Sequence, residues 1–300
     1  MTALPAYTVL ANAVLAKFTD YCQMVKLRLT LMVVFSAGIG FLIAGAGTIG
    51  WFELMIVSFS GFLITGSANG INQIIEKNLD ALMTRTSNRP VAQGRIGVRE
   101  AGILTFLMGL GGAILLGHYI NGFSAVIGIG SLLVYAFVYT PLKRMTRWSV
   151  VAGAIAGAAP PLIGYTAVTG RFDEFAILIF LIQFIWQFPH FWAIAWVLDD
   201  DYKKAGFFLL PSKAGRDRRT TAITVATTFT LIPLSAYLIY AGYVGTVTGG
   251  LIVLLGMQFL YSAVRLHTTS DMNEAKRLMF GSFYYLPLVQ ILLVIGSYFT

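Results

Sequence analysis

Asn72, Glu76 and Asp80 recur every four residues in the stretch SANGINQIIEKNLD. On a helical backbone all three side chains share one face. Carboxylates placed this way repel each other and gain no packing, so the pattern calls for a cation between them. Hard oxygen ligands of this kind suit Mg²⁺, which binds through one or two carboxylates, several waters and the phosphate oxygens of a substrate. Arg85 and Arg89 repeat the spacing just beyond, before Pro90 interrupts it. Guanidinium forks grip phosphate oxygens at two points. Acid, metal and base together describe a diphosphate site, whereas acid and base alone describe a solvated helix end with ion pairs of little weight. Spacing by itself leaves both readings open.

A second polar block, LDDDYKKAGFFLLPSKAGRDRR, holds Asp199, Asp200 and Asp201 in succession. Consecutive residues cannot all face one site on a helix, so one or two of them are functional candidates and the rest are solvated. Lys143 and Arg144 follow Tyr139, Thr140 and Pro141 and are candidates for further phosphate contacts, or else plain anchors at a membrane boundary. His190, in WQFPHFWAIAW, lies in an apolar stretch where an ionisable group is costly and faces a bundle interior or cavity. A heme-handling role and a neutral histidine bonded to a neighbouring helix both fit. The single cysteine, Cys22, excludes an intramolecular disulfide and matches no metal-ligand spacing.

The elements that carry these residues are set by lipid. Of 300 residues, 57% are hydrophobic and 11% charged, against about a quarter charged in soluble domains. Nine apolar stretches have the length of a membrane-spanning helix: 29–47, 51–71, 101–119, 122–141, 149–168, 174–197, 221–241, 246–264 and 279–299. Backbone groups in lipid must be satisfied internally, and no dyad alternation marks a barrel, so the fold class is an all-α polytopic bundle. Gly153, Gly157 and Gly164 on the fifth span fit tight helix contacts.

The connections sort the charge: every one of the 21 Lys and Arg residues except Arg171 falls on one face. The positive-inside rule then predicts a cytoplasmic N-terminus and an external C-terminus. The expected organisation is a cytoplasmic segment 1–28 and a nine-helix domain 29–300, with cytoplasmic polar loops at 72–100 and 198–220. The net charge of +8 on that face meets anionic lipid head groups and anionic substrates rather than nucleic acid. The first sixteen residues lack the basic start of a removable signal, and no Arg-rich transit peptide is evident, which favours a bacterial plasma (inner) membrane.

The chain resembles the UbiA superfamily of intramembrane prenyltransferases over nearly its whole length, and within it the protoheme IX farnesyltransferases, or heme O synthases. The superfamily's first motif, N-x-x-x-D-x-x-x-D, corresponds to Asn72, Glu76 and Asp80, with glutamate at its centre. The subgroup signal is D-x-x-M-x-R-T-x-x-R-P, seen as Asp80, Met83, Arg85, Thr86, Arg89 and Pro90, followed by Tyr139 to Arg144. Farther on come Gly157, Pro160, Pro161 and Gly164, then Trp186, Gln187, Pro189 and His190, then Asp201, Tyr202, Ala205, Gly206, Leu210 and Pro211. One departure stands out. The second motif is D-x-x-x-D, yet Val197 occupies the position four before Asp201.

The resemblance implies transfer of farnesyl from farnesyl diphosphate to the 2-vinyl group of heme B, with addition of water, giving heme O for terminal oxidases. It implies Mg²⁺ held by Glu76, Asp80 and Asp201, with Asp200 standing in for the missing ligand, and diphosphate contacts from Arg85, Arg89, Lys143 and Arg144. His190 falls to the heme side. Heme B is substrate, not cofactor; a heme A synthase or oxidase assembly factors are the implied protein partners. The rivals are a relative that prenylates a quinone precursor, a secondary transporter using the carboxylates as ion ligands, and a heme-delivery protein. A transporter would place its carboxylates near the bilayer midplane rather than at one face.

Overall fold

In the computed structural model, residues 6–45 and 49–298 are described, with side chains from Asn12 onward. The described residues form helices and connections without a strand. An N-terminal helix α1 (Ala6–Met24) turns sharply at Lys26 into α2 (Leu27–Gly45), the first span. The expected segment 1–28 is therefore mostly helical, and its exposed Val14, Leu15 and Phe18 form an apolar surface. Helix α3 (Trp51–Ile75) is followed by one further turn, α4 (Lys77–Asp80), and then by the connection 81–97.

The third span joins α5 (Val98–Leu115) to a π-helical turn at 116–120; the fourth joins α6 (Gly122–Leu133), a π-helical segment Val134–Tyr139 and α7 (Thr140–Met145). Then come α8 (Ser149–Thr169), α9 (Glu174–Lys204), α10 (Arg218–Phe229) with α11 (Leu231–Tyr240), α12 (Thr246–Thr269) and α13 (Met272–Tyr298). Among the described residues nine spans are long and apolar enough to cross a membrane, as expected. The chain is a multi-pass integral membrane protein. The ends of the first and last expected spans, at 46–47 and 299, lie outside the described residues.

Helix starts follow local chemistry. Asn121, Asp173 and Asp217 each accept a hydrogen bond from the amide three residues on, at 2.8, 3.0 and 2.8 Å, satisfying a donor that the first turn leaves free. Span α8 is central: 72% of its apolar window is buried, against 22–44% for the others. It packs on α2, α6 and α9, while α13 closes the ring between α9 and α2. The glycines set the closeness. A Cβ on Gly164 would lie 1.8 Å from the Ala37 carbonyl oxygen, and one on Gly40 1.9 Å from that of Pro161. Gly157 likewise leaves room for the Gln187 amide and Gly153 for the Tyr139 ring, so all three glycines read from the fifth span serve close packing. Side-chain amides tie the core, with Gln290 donating to Gln183 Oε1 at 2.7 Å and Gln183 to the Gly157 carbonyl at 2.7 Å.

Candidate active site

The helix of the second span carries its register past the apolar stretch. The Glu76 amide donates to the Asn72 carbonyl and the Asp80 amide to that of Glu76, at 2.9 and 2.8 Å. Asn72, Glu76 and Asp80 consequently line one cavity of about 120 Å³ at the basic end of the bundle, and all three are almost wholly buried.

Cations enter from three other directions. Beyond Asp80 the expected helical spacing ends and the chain proceeds by turns, which bring Arg89 back so that its Nη1 donates to both Asp80 oxygens at 2.8 Å. Lys143, buried at the end of the fourth span, is ion-paired with Glu76, and its ammonium sits 4.9 Å from the Tyr139 ring centre and 5.3 Å from that of Phe207. Arg85 lies over the Tyr202 ring at 5.6 Å. From the α1–α2 turn, Lys26 Nζ donates to Asn72 Oδ1 at 3.2 Å. The cavity thus gathers four cations, Lys26, Arg85, Arg89 and Lys143, against two carboxylates, a formal excess of two positive charges. Such a lining asks for a multiply charged anion.

Burial shapes the ionisation of the two groups outside the spans. Desolvation, reinforced by the nearby Arg89 and Lys143 charges, drives the Lys26 ammonium well below the usual lysine range. Desolvation also raises the Asp80 carboxyl, outweighing the Arg89 guanidinium that favours its ionised form. Lys26 holds a left-handed φ of 50°, unusual for a side-chain-bearing residue. This turn brings Lys26, between α1 and α2, to Asn72.

Several cavity residues escaped the sequence reading. Lys26 reads as an interfacial charge. Tyr135 reads as one more aromatic of a span, yet the π-helical segment Val134–Tyr139 turns both its tyrosines onto the cavity. Thr140 fixes this geometry, its hydroxyl donating to the Tyr135 carbonyl and accepting from Asn72 Nδ2 at 2.9 and 3.1 Å. Pro141, two residues after that segment, was the available signal, since it has no N–H to continue the ladder.

The second acidic block does not join the first. Asp201 takes backbone amides of the 81–97 connection, from Thr84 at 2.8 Å and Arg85 at 3.2 Å. Asp200, with 77% of its side chain exposed, points away to Arg216 at 2.9 Å, and Asp199 pairs with Lys203 at 2.6 Å. Successive helical residues diverge by about 100°, so the expectation that Asp200 and Asp201 complete a metal site with Glu76 and Asp80 is not met by their placement. The same divergence turns Arg144 outward when Lys143 faces in: it is exposed and does not line the cavity. Among the described residues no three carboxylate, histidine or cysteine groups converge as a ready-made metal cage. Glu76 and Asp80 on one cavity wall fit the ion that needs only one or two carboxylates beside substrate phosphates, which is Mg²⁺.

His190 sits away from this cavity, between α9 and α13. Its ring stacks on Trp186 at 4.5 Å and meets Phe283 edge-on at 5.2 Å; Nδ1 lies 2.7 Å from Ser282 Oγ. Ser282 gives its own proton to the Met279 carbonyl at 2.5 Å. Its oxygen must then accept from Nδ1–H, which leaves the lone pair on Nε2. His190 reaches the cavity through two ring contacts, to Phe191 at 5.6 Å and on to Tyr139 at 6.4 Å.

The sequence matches the model of the UbiA prenyltransferase family over residues 33–286. It is 43% identical over 282 residues to the protoheme IX farnesyltransferase of Cytophaga hutchinsonii, spanning 94% of this chain and 99% of that protein. With the protoheme IX farnesyltransferase of Flavobacterium johnsoniae the identity is 40%, over 94% and 95%. Among solved structures the fold is similar to a digeranylgeranylglyceryl phosphate synthase, with a TM-score of 0.79 at 18% identity, covering 95% of this chain and all of that one. It is also similar to a UbiA homolog from Archaeoglobus fulgidus bound to DMAPP and Mg²⁺, with a TM-score of 0.76 at 17% identity, over 93% and 98%.

Proposed function

The chain belongs to the UbiA prenyltransferase family, and from that premise we propose that it is a heme O synthase: it transfers farnesyl from farnesyl diphosphate to the 2-vinyl group of heme B, with water completing the hydroxyethylfarnesyl side chain. The relatives' shared name supports the acceptor. The observation that carries the chemistry is the cavity itself, where two buried carboxylates and four cations meet at one end of an apolar bundle. The basic face is the cytoplasmic one and the membrane a bacterial inner membrane, by the distribution of charge and the bacterial relatives.

Glu76 and Asp80 are the residues that would hold Mg²⁺. When bound, the ion neutralises charge that builds on the leaving diphosphate. Arg85, Arg89, Lys143 and Lys26 bind the remaining phosphate oxygens and, fixed by the fold, stabilise the same developing charge without reorganising. The bond between farnesyl C1 and its oxygen breaks with the electron pair leaving on diphosphate. Tyr139 and Phe207 already present ring faces to the Lys143 ammonium, and these faces suit an allylic cation equally. The vinyl carbon of heme supplies the electrons for the new C–C bond; water then adds to the porphyrin-side cation and loses a proton. His190, with its free Nε2 lone pair and its Trp186 and Phe283 neighbours, is assigned to the porphyrin side.

The test is to incubate purified protein with heme B, farnesyl diphosphate and Mg²⁺, with and without chelator, and follow the porphyrin by mass spectrometry. A chelator-sensitive gain of one farnesyl and one hydroxyl is expected. Unmodified heme beside an active control would refute the acceptor and direct the search to quinone precursors.

A further inference from the structure

The connection 81–97 carries both Arg85 and Arg89, so its position decides whether the diphosphate cations are in place. It has no regular helix of its own beyond Asp80. Instead it is pinned at both sides. On one side Arg95 donates to Asp20 of α1 at 2.8 Å and to the Asn88 carbonyl at 2.9 Å, while Val91 and Ile96 are wholly buried. On the other side the last turn of α9 takes hold: Asp201 accepts the amides of Thr84 and Arg85, and Lys204 Nζ donates to Thr84 Oγ1 at 2.8 Å and to Asp201 Oδ1 at 3.0 Å.

We infer that Asp201 is a positioning residue, a latch that holds the Arg85 strap over the cavity, and not a ligand of the catalytic metal. Three observations carry this. A carboxylate offers about four acceptor positions, and three are filled, by two backbone amides and one ammonium. Asp201 does not line the cavity in which Glu76 and Asp80 meet. Val197 removes the acidic partner one helical turn earlier that a two-carboxylate metal site on α9 would need. The residue after the latch extends the same function: the Tyr202 ring lies against the Arg85 guanidinium, so Asp201 fixes the backbone of Arg85 and Tyr202 its side chain. The consequence for turnover rests on the reading of the cavity as a prenyl diphosphate site; the latch itself does not.

The test uses the full-length protein in detergent, with two readouts that need no catalysis. Hydrogen exchange follows the Thr84 and Arg85 amides, and electron paramagnetic resonance follows Mn²⁺ titrated in the presence of inorganic diphosphate. In Asp201→Ala both amides exchange about tenfold faster or more, as expected on losing charge-assisted bonds, while the number of Mn²⁺ bound at saturating diphosphate stays as in the wild type. Asp80→Asn, in contrast, weakens Mn²⁺ binding by at least about tenfold. Lys204→Met, which keeps the carboxylate, loosens the Thr84 amide to a smaller degree and serves if Asp201→Ala does not fold. A Mn²⁺ lost from Asp201→Ala at saturating diphosphate overturns the inference, and so does unchanged exchange at both amides. Asp80→Asn with wild-type Mn²⁺ binding would instead refute the metal assignment and leave the latch to stand on exchange.

Discussion

Asp80→Asn should separate activity from stability. The side chain is fully buried and both its oxygens accept from Arg89, a setting in which removing one partner of an ion pair can cost about 3–5 kcal/mol. Here the carboxyl is shifted the other way: burial raises it despite Arg89. The folded state therefore binds the Asp80 proton more readily than the unfolded chain does. Between the ordinary value near 3.8 and the raised one, stability falls as pH rises. Burial thus works against the ionised form, and the Arg89 side chain, 17% exposed in the pair, is not sealed from solvent. A neutral isostere should consequently change stability by no more than about 1 kcal/mol, as expected when desolvation offsets an ion pair. Activity should behave otherwise, because a lost preorganised group at a site of developing charge costs about 10²–10³ in rate and the substitution also frees Arg89. We expect kcat/KM for farnesyl diphosphate to fall about 10³-fold, or about 4 kcal/mol. Heme association should be intact. Product formation by mass spectrometry, thermal unfolding in detergent and heme absorbance measure the three quantities. Activity within tenfold of the wild type would remove Asp80 from the mechanism, and a stability loss of about 3 kcal/mol would show that the pair, not desolvation, dominates.

Lys26→Met should stabilise the protein near neutral pH while weakening farnesyl diphosphate binding about tenfold or more. The Lys26 ammonium is lowered by burial and neighbouring cations, so between its lowered value and 10.5 the unfolded chain binds more protons and wild-type stability rises with pH. The variant should lose that slope, and an unaltered slope in melting temperature would refute the burial argument. Gly164→Ala places a methyl 1.8 Å from the Ala37 carbonyl oxygen and must push α8 from α2, costing about 1–3 kcal/mol or more; a variant as heat-stable as the wild type would contradict the close approach. His190→Phe should raise KM for heme about tenfold and leave KM for farnesyl diphosphate unchanged, and an unchanged heme KM would detach His190 from the acceptor.

The nine spans were legible because lipid permits one solution for an uncharged stretch of about 20 residues. The first acidic group was legible because its period of four matches the helix that carries it; Arg85 and Arg89 were legible as bases beside it, but not the turns that fold Arg89 back onto Asp80. Lys26 was not, since its role depends on a left-handed turn that brings an interfacial charge back to Asn72. Nothing in the sequence of 1–28 marks α1 as more than a cytoplasmic segment, although its Lys17 and Asp20 hold Glu100 and Arg95. Asp200, Asp201 and Arg144 were legible as charge and illegible as direction, because one residue of rotation on a helix decides between cavity and solvent.

The two shifted groups bear on why the site is built this way. An Asp80 carboxyl held above its usual range and a Lys26 ammonium held below it both mean that burial disfavours the charged forms of these two groups. Binding a diphosphate with its cation relieves both at once: the metal favours the ionised carboxyl, and the anion favours the protonated amine. The desolvation of these two groups is thus offset by the charged end of the substrate, the end that must be drawn out of water. The farnesyl chain needs no such device, since it partitions into the bilayer unaided. A double variant Lys26→Met with Asp80→Asn should accordingly be at least as stable as the wild type without ligand. It should also gain almost no thermal stabilisation from farnesyl diphosphate and Mg²⁺, whereas the wild type gains markedly. Equal ligand stabilisation in the two proteins would refute the linkage.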